Sequence, residues 1–278
     1  MSASLNAQYQ NASNLNARIA IHEHFSINPY GWYRWVLDQV AAPPKARLLE
    51  LGCGQGNLWK SNLGHIPGGW QITLSDFSAG MLAEARTNLA GAEGRFKFEH
   101  CDAQRLPFDD ENFEVVIANH MLYHVPDRPQ ALAEIQRVLK PGGRFYAATN
   151  GLAHLQELDQ IAEAGGLPIR QGRQAFGVAG FNLENGAAQI AAWFTAVELR
   201  RYPDGLIVTQ AQPLVDYILS MNSVLDSPPG EALIERFKRS VEEQIAREGS
   251  LRITKDTGLF VGVKNKPAMN DSGRRCTG

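Results

Sequence analysis

Between residues 47 and 149, short apolar segments alternate five times with segments of helical spacing. The apolar segments predict strands at 47–51, 71–75, 96–100, 113–118 and 144–149. Ser78 and Pro129 stand where two of the intervening helices should begin, and the glycines of 140–143 should end the second helix. Because strands that alternate with helices form right-handed βαβ units, the pattern predicts an α/β fold with a parallel sheet and helices on both faces.

The alternation is less regular after residue 150. Helices are predicted at 152–164, 184–194, 211–222 and 230–248, and strands at 196–202, 250–254 and 258–263. Since the last strand is apolar enough to return to the sheet, residues from about 205 to 248 are predicted to be a helical insertion, a lid or a dimer element. Residues 1–44 are predicted to form an aromatic-rich helical cap, and the polar residues 265–278 a disordered tail.

Composition excludes several classes of protein. The chain of 278 residues has 27 basic and 29 acidic side chains, a net charge of −2, so it lacks the overall positive charge typical of nucleic-acid binders. It has no apolar run of about 18 residues for a membrane span and no secretory signal pattern. Cys53, Cys101 and Cys276 are too few and too scattered for a disulfide framework or a four-ligand zinc site. We expect a cytoplasmic globular protein with neither membrane nor nucleic-acid partners.

The turn after the first strand carries glycines at alternate positions, Gly52, Gly54 and Gly56. Glycine lets the backbone turn tightly and approach a ligand closely. A dinucleotide fingerprint of the form GxGxxG would require a third glycine at Asn57, and Glu50 is a poor neighbour for a pyrophosphate. The turn therefore favours a ligand with positive charge, such as a sulfonium or an amino group.

Polar side chains also follow the next three strands. Asp76 ends the second strand, where a carboxylate can accept both hydroxyls of a ribose. Asp102 follows the third strand, where it can accept from an adenine amino group, and Asn119 leaves the fourth. Two simpler interpretations stay open: Asp76 as a charge at a helix N-terminus and Asp102 as a solvated loop acid.

Together these segments resemble the class I S-adenosylmethionine-dependent methyltransferases, in particular the bacterial small-molecule type. The matching segments are ELGCGQG (50–56), SDFSAGML (75–82), CDAQRLPFDDENFEVV (101–116), NHMLYHVPD (119–127) and VLKPGGRF (138–145). The resemblance covers about residues 45–150 and, less closely, the strand at 258–263. It implies a Rossmann-like domain over residues 45–264, with a seven-stranded, mostly parallel sheet whose last strand is antiparallel, and S-adenosylmethionine as cofactor.

The resemblance also implies a set of cofactor-binding residues. They are Glu50, Gly52, Cys53, Gly54, Gly56, Asp76, Phe77, Met81, Asp102, Ala103 and Asn119. Glu50, Gly52 and Gly54 would line the methionine and ribose, and Asp76 would hold the ribose hydroxyls. Asp102 and Ala103 would meet the adenine, and Asn119 the methionine portion. The N-terminal segment resembles helices that fold over the cofactor.

Candidates for a general base are His120, Tyr123, His124 and Tyr9. His120 and His124 are four residues apart, as metal ligands on a helix can be, but no glutamate follows His120 and no third ligand is evident, so no metal site is predicted. For His124 a structural role stays open. The default interpretation of His22 is packing in the core or at the surface. Trp32 could shape a substrate pocket, but an aromatic residue is more often part of the core.

The sequence favours transfer of a methyl group to a small-molecule acceptor by in-line displacement. Helical segments on both sides of the sheet can close a small pocket, and no basic stripe for RNA is present. Methylation of RNA or protein by the same fold stays an alternative, as does a protein that binds S-adenosylmethionine without catalysis or for another reaction. The turn spacing excludes an NAD-dependent oxidoreductase. The oligomeric state is left open, with a dimer among the options.

Overall fold

The computed structural model describes residues 13–167, 180–220 and 229–266. The strands in these ranges are β1 Arg47–Leu51, β2 Gln71–Asp76, β3 Phe96–His100, β4 Phe113–Asn119, β5 Leu139–Asn150, β6 Thr195–Tyr202, β7 Gly205–Val208, β8 Leu251–Thr254 and β9 Thr257–Val263. Seven of them form one sheet in the order β3-β2-β1-β4-β5-β9-β6. Neighbours among β1 to β5 are parallel, and β9 is antiparallel to both β5 and β6. The predicted seven-stranded sheet with a reversed last strand is confirmed.

Helices cover both faces of the sheet. The α-helices of the described ranges are α1 Ser13–Phe25, α2 Trp32–Gln39, α3 Asn57–Lys60, α4 Ala79–Asn88, α5 Arg128–Val138, α6 Glu157–Ala164, α7 Gly186–Ala191, α8 Ala211–Ser220 and α9 Glu231–Glu248. Successive residues of a strand point to opposite faces. Leu48 of β1 accordingly packs in a cluster with α2, α3 and α4, whereas Leu49 packs in a cluster with α5 and α7. Both faces of β1 are therefore core.

A third apolar cluster lies outside the sheet and joins helix α1 to elements that follow β5. It contains Ile21 of α1, Leu158 of α6, Leu214 of α8 and Phe237 of α9, with apolar residues of the antiparallel pair β7 and β8. We call α1, α6, β7, α8, α9 and β8 the cap module. The two helices predicted between 205 and 248 are present, but the sequence did not indicate that a strand at 205–208 pairs with the one at 251–254. The N-terminal helix and the insertion thus share one core.

Strand β5 begins earlier than the sequence predicts. The sequence predicts only that residues 140–143 end a helix, but they also pair with Lys264, the residue that follows β9. Gly142 N donates to Lys264 O at 2.9 Å, and Lys264 N donates to Gly143 O at 2.9 Å. Tyr9 and the tail from residue 267 lie outside the described residues. None of the helices in the described ranges has the length and apolar content that crossing a membrane requires.

Candidate functional site

The glycine turn joins β1 to α3 at the carboxyl edge of the sheet. Gly52 and Gly54 have φ of +64° and +54°, a left-handed conformation that side chains disfavour. A Cβ on Gly52 would lie 2.7 Å from Cβ of Met121, so the backbone there is packed against a side chain. A Cβ on Gly54 would meet no atom of the described residues within 4 Å. The turn therefore presents bare backbone to open space at Gly54, where a ligand can approach.

Asp76, at the end of β2, is fixed by the backbone. Gly54 N donates to Asp76 Oδ2 at 2.9 Å, and Ser78 N donates to Asp76 Oδ1 at 2.8 Å. Each oxygen keeps a second lone pair. Burial raises the pKa of this carboxyl above its usual value, although both hydrogen bonds favour the ionised form. The next residue, Phe77, has 40% of its surface exposed beside the turn.

Glu50 lies beneath the turn and is 2% exposed. Trp59 Nε1 donates to its Oε2 at 2.6 Å. Burial, reinforced by the nearby Asp76 carboxylate, raises the pKa of Glu50 to about 8. The sequence interpretation treated Glu50 as a standing negative charge, whereas the structure gives a group that is largely protonated at neutral pH and that ionises when a cation comes near.

The remaining predicted cofactor residues differ in accessibility. Asp102 accepts hydrogen bonds from the backbone N–H of Gln104 at 2.9 Å and from its side chain at 2.9 and 3.0 Å. Ala103, Cys53 and Met81 are buried, and burial raises the pKa of the Cys53 thiol, so this thiol is not a nucleophile.

Asn119 Oδ1 is buried with no hydrogen-bond partner among the described residues. An unpaired buried acceptor at this edge indicates a donor that the described residues do not supply.

His120 follows β4 in a left-handed conformation, with φ of +57°. Such strain in a residue other than glycine is often found at functional sites. Burial and the nearby charges of Lys255 and His124 lower the pKa of His120 to about 4. His124 also has its pKa lowered to about 4, by burial and by Arg18, and its ring packs edge-on against Tyr123 at 4.4 Å. Both imidazoles are therefore neutral at pH 7, and the low pKa makes each a weaker base than an ordinary histidine.

Four rings form an aromatic cluster beyond the end of β4: Trp32, Trp35, His120 and Tyr202. Trp32 lies 5.2 Å from His120 and 5.4 Å from both Trp35 and Tyr202, measured between ring centroids. Lys255 Nζ lies 5.7 Å from the centre of the Tyr202 ring. Sequence reasoning missed Tyr202 and Lys255. The rule that found Asp76 could have found both, because β6 ends, and the reversed β9 begins, at the same edge.

Helix α1 lies along this edge of the sheet. Gln55 Nε2 of the glycine turn donates to Asn16 Oδ1 at 3.0 Å. Arg18 Nη2 donates to Ser220 O at 2.7 Å, which ties α1 to α8, and its charge reaches His124. The same helix thus contacts the glycine turn, the cap module and the region after β4.

A comparison with known families decides what kind of domain this is. Residues 49–147, from β1 to β5, match a family described as a methyltransferase domain. Residues 49–147 are a methyltransferase domain of the class I S-adenosylmethionine-dependent type. The glycine turn, Asp76, Asp102 and Asn119 all lie inside the matched segment of this methyltransferase domain.

Curated relatives that match part of the chain agree with this assignment. The chain is 40% identical over 113 residues to the ubiquinone/menaquinone biosynthesis C-methyltransferase UbiE of Desulfotalea psychrophila, covering 41% of this chain and 45% of that protein. It is 41% identical over 106 residues to the demethylmenaquinone methyltransferase of Clavibacter sepedonicus, covering 38% and 42%. The chain thus matches less than half the length of these relatives.

The solved structures extend the likeness in fold. The [4+2]-cyclase SpnF is 18% identical, with a TM-score of 0.59 over 95% of this chain and 96% of that one. At this identity the likeness shows the methyltransferase fold alone. Because that protein is described as a cyclase, the fold does not by itself specify the reaction.

Proposed function

We propose that the whole chain is an S-adenosylmethionine-dependent methyltransferase that acts on a small-molecule acceptor. The observation that carries the proposal is the turn at Gly54, whose backbone faces open space while its N–H fixes Asp76. The matched domain and the names of the curated relatives support it. Two cysteines of the described ranges, Cys53 and Cys101, are free thiols, which is in keeping with a cytoplasmic location.

The residues at this edge fit the cofactor. Gly54 leaves room for it, Asp76 has free lone pairs for ribose hydroxyls, and Asn119 Oδ1 lacks a donor. Glu50 can ionise toward a positive charge. S-adenosylmethionine, when bound, supplies a methyl group made electrophilic by a cationic sulfur. Phe77, Met81, Asp102 and Ala103 stay predicted as adenine-side residues.

For the acceptor we propose a quinone-type ring placed against the aromatic cluster. Two observations support this: the cluster is built from ring faces, and the relatives are named for ubiquinone, menaquinone and demethylmenaquinone. Flat rings stack favourably on such faces. The cap module lies along this edge through α1, and a cover that keeps water out strengthens the electrostatic interactions beneath it.

The chain's own contribution to the reaction is to position groups and to accept a proton. The aromatic cluster orients the acceptor, and alignment of the reacting groups is worth several kcal/mol, of the order of 7 to 11 in favourable cases. His120 and His124 are neutral at pH 7 and are proposed as bases for an acceptor that must lose a proton. Tyr123, packed against His124, is the remaining described candidate.

Thermal unfolding with S-adenosylhomocysteine or NAD tests the cofactor assignment. A ligand at 100 times its Kd adds about 2.7 kcal/mol to the free energy of unfolding, which raises the Tm of a chain of this size by about 5 °C. We expect this rise with S-adenosylhomocysteine and none with NAD. Asp76→Ala should abolish the rise, and Asp109→Ala, which removes an exposed acid, should keep it. An Asp76→Ala variant that binds normally would show the ribose assignment to be wrong.

The reaction itself is tested by incubating the protein with radiolabelled S-adenosylmethionine and a reduced naphthoquinone. We expect label in the organic extract. Binding of S-adenosylhomocysteine without transfer to any small acceptor would instead favour a non-methylating role for the same fold.

A further inference from the structure

Helix α1 places His22 beside rings from distant parts of the chain. Its ring centroid lies 6.0 Å from that of His154 and 6.1 Å from that of Tyr217. The charges of Lys255 and His120 act on it. His22 therefore lies on the side of the cap module that faces the end of β4, although packing alone is its default interpretation from the sequence.

Two buried polar atoms in this region have no partner. His22 Nδ1 and Trp32 Nε1 make no hydrogen bond to the described residues, and both atoms are shielded from solvent. His120 relates the two: its ring is 5.2 Å from Trp32, and its charge influences His22. Buried polar atoms in native proteins are nearly always paired, and an unpaired one weakens the fold. One such atom on each side of His120 indicates a polar group that comes from a ligand.

The charges nearby favour a ligand without positive charge. Lys255 forms a buried ion pair with Asp204. The Asp204 carboxylate also accepts from Ser26 Oγ at 2.5 Å and from the backbone N–H groups of Asn28 at 3.0 Å and Gly205 at 2.8 Å. With its oxygens occupied, Asp204 offers no counter-charge to a cation. Burial and Lys255 lower the pKa of His22 to about 3, so its ring is neutral at pH 7 and Nδ1 can accept a hydrogen bond.

We propose that His22 and Trp32 hold the oxygen of an uncharged hydroxyaromatic acceptor, His22 Nδ1 accepting from its hydroxyl and Trp32 Nε1 donating to an oxygen. This inference rests on the proposed function and adds the residues that select the acceptor. Both residues belong to α1 and α2, so the acceptor is held partly by the helices that precede the sheet. His22 becomes a substrate-binding residue contributed by the cap module.

The test uses a pair of probes, 2-naphthol and 2-methoxynaphthalene, in which a methyl group of the ether replaces the hydroxyl proton of the naphthol. Each is titrated into the full chain at pH 7 with saturating S-adenosylhomocysteine, and tryptophan fluorescence follows binding. We expect 2-naphthol to bind about 10-fold more tightly, the value of one hydrogen bond that the ether cannot donate. In His22→Phe the two Kd values should become equal. His22→Asn, whose amide oxygen can accept in place of Nδ1, should restore part of the preference.

The matched control is His24→Phe, on the same helix but exposed and bonded only to its own backbone turn, Nδ1 to Ala20 O at 2.8 Å. It should keep the preference unchanged. Trp32→Phe keeps a ring but loses the N–H donor. It should weaken the binding of both probes equally, by about 5-fold, because both carry an oxygen. This variant tests the inference if His22→Phe fails to fold.

A wild-type protein that binds S-adenosylhomocysteine but shows no preference for 2-naphthol would overturn the inference and leave the proposed function standing. A preference that survives in His22→Phe, or unchanged affinities in Trp32→Phe, would overturn it as well. A wild-type protein that does not bind S-adenosylhomocysteine would overturn the proposed function, and this inference with it.

Discussion

The two halves of the candidate site are built from different chemistry. On the cofactor side, backbone N–H groups of Gly54 and Ser78 hold a carboxylate, and the surroundings are strand ends within one continuous segment. On the acceptor side, the rings of Trp32 and Tyr202 meet from helices and strands far apart in the chain, beside histidines kept neutral by burial. A site made of backbone N–H groups keeps the same ligand when side chains are substituted, whereas the specificity of a pocket made of side chains changes with each substitution. We therefore expect the acceptor side to set specificity.

The largest effect that we expect is a loss of folding stability at acid pH, which arises from the histidines on the acceptor side. His22, His120 and His124 have folded pKa values of about 3, 4 and 4, below the ordinary value of 6.5. Between pH 6.5 and 5 the unfolded chain takes up protons that the folded chain does not, so the free energy of unfolding falls by about 1.5 kcal/mol per histidine. Glu50 opposes this, because its folded pKa of about 8 lies above the unfolded value.

The free energy of unfolding should fall by about 3 kcal/mol in total between pH 6.5 and 5, since the effect of Glu50 offsets that of roughly one of the three histidines. Urea unfolding at a series of pH values measures it. His22→Asn or His120→Asn should each flatten the dependence by about one proton. A dependence that begins only below pH 5 would mean that these histidines are solvated.

Two glycine variants separate packing from ligand access on the cofactor side. Gly52→Ala places a methyl group 2.7 Å from Met121 at a positive φ and should cost about 2 to 3 kcal/mol of unfolding free energy. Gly54→Ala meets open space and should cost only about 1 kcal/mol from backbone strain, yet lower the affinity for S-adenosylhomocysteine at least 10-fold. Urea unfolding and calorimetry measure the two quantities. Equal destabilisation by both substitutions would contradict the geometry of the turn.

The smallest effect we expect is a proton released on cofactor binding. Glu50 is largely protonated at pH 7, and a positive charge brought near it lowers its pKa. Calorimetric titration of S-adenosylmethionine in phosphate and in Tris, buffers with different ionisation enthalpies, should reveal release of up to about one proton at pH 7. Glu50→Gln should release none. Identical heats in the two buffers for the native protein would show that Glu50 keeps its protonation state.

The sequence predicted the cofactor side well because its signals are local. Gly52, Asp76 and Asn119 each follow an apolar strand directly, and the ends of parallel strands meet at one edge. Tyr202 and Lys255 reach the same edge only because β9 enters the sheet reversed beside β6. The rule that strand ends meet at one edge therefore finds these two residues only when it is applied to the reversed strand as well.

Other differences have the same origin. The early start of β5 depends on pairing of residues 140–143 with Lys264, and β7 is defined by its partner β8. His22 was set aside because nothing near it in the sequence suggested chemistry. Its neighbours His154, Tyr217 and Lys255 come from three distant segments.

The reversed entry of β9 has a consequence for biosynthesis. Lys255 precedes this strand, and β9 separates β5 from β6. The aromatic cluster therefore cannot reach its final arrangement until residues near 263 have left the ribosome. The segment that ends with β5 is complete more than one hundred residues earlier in translation. A nascent chain should thus acquire its nucleoside-facing surface first and its selectivity for the second substrate last.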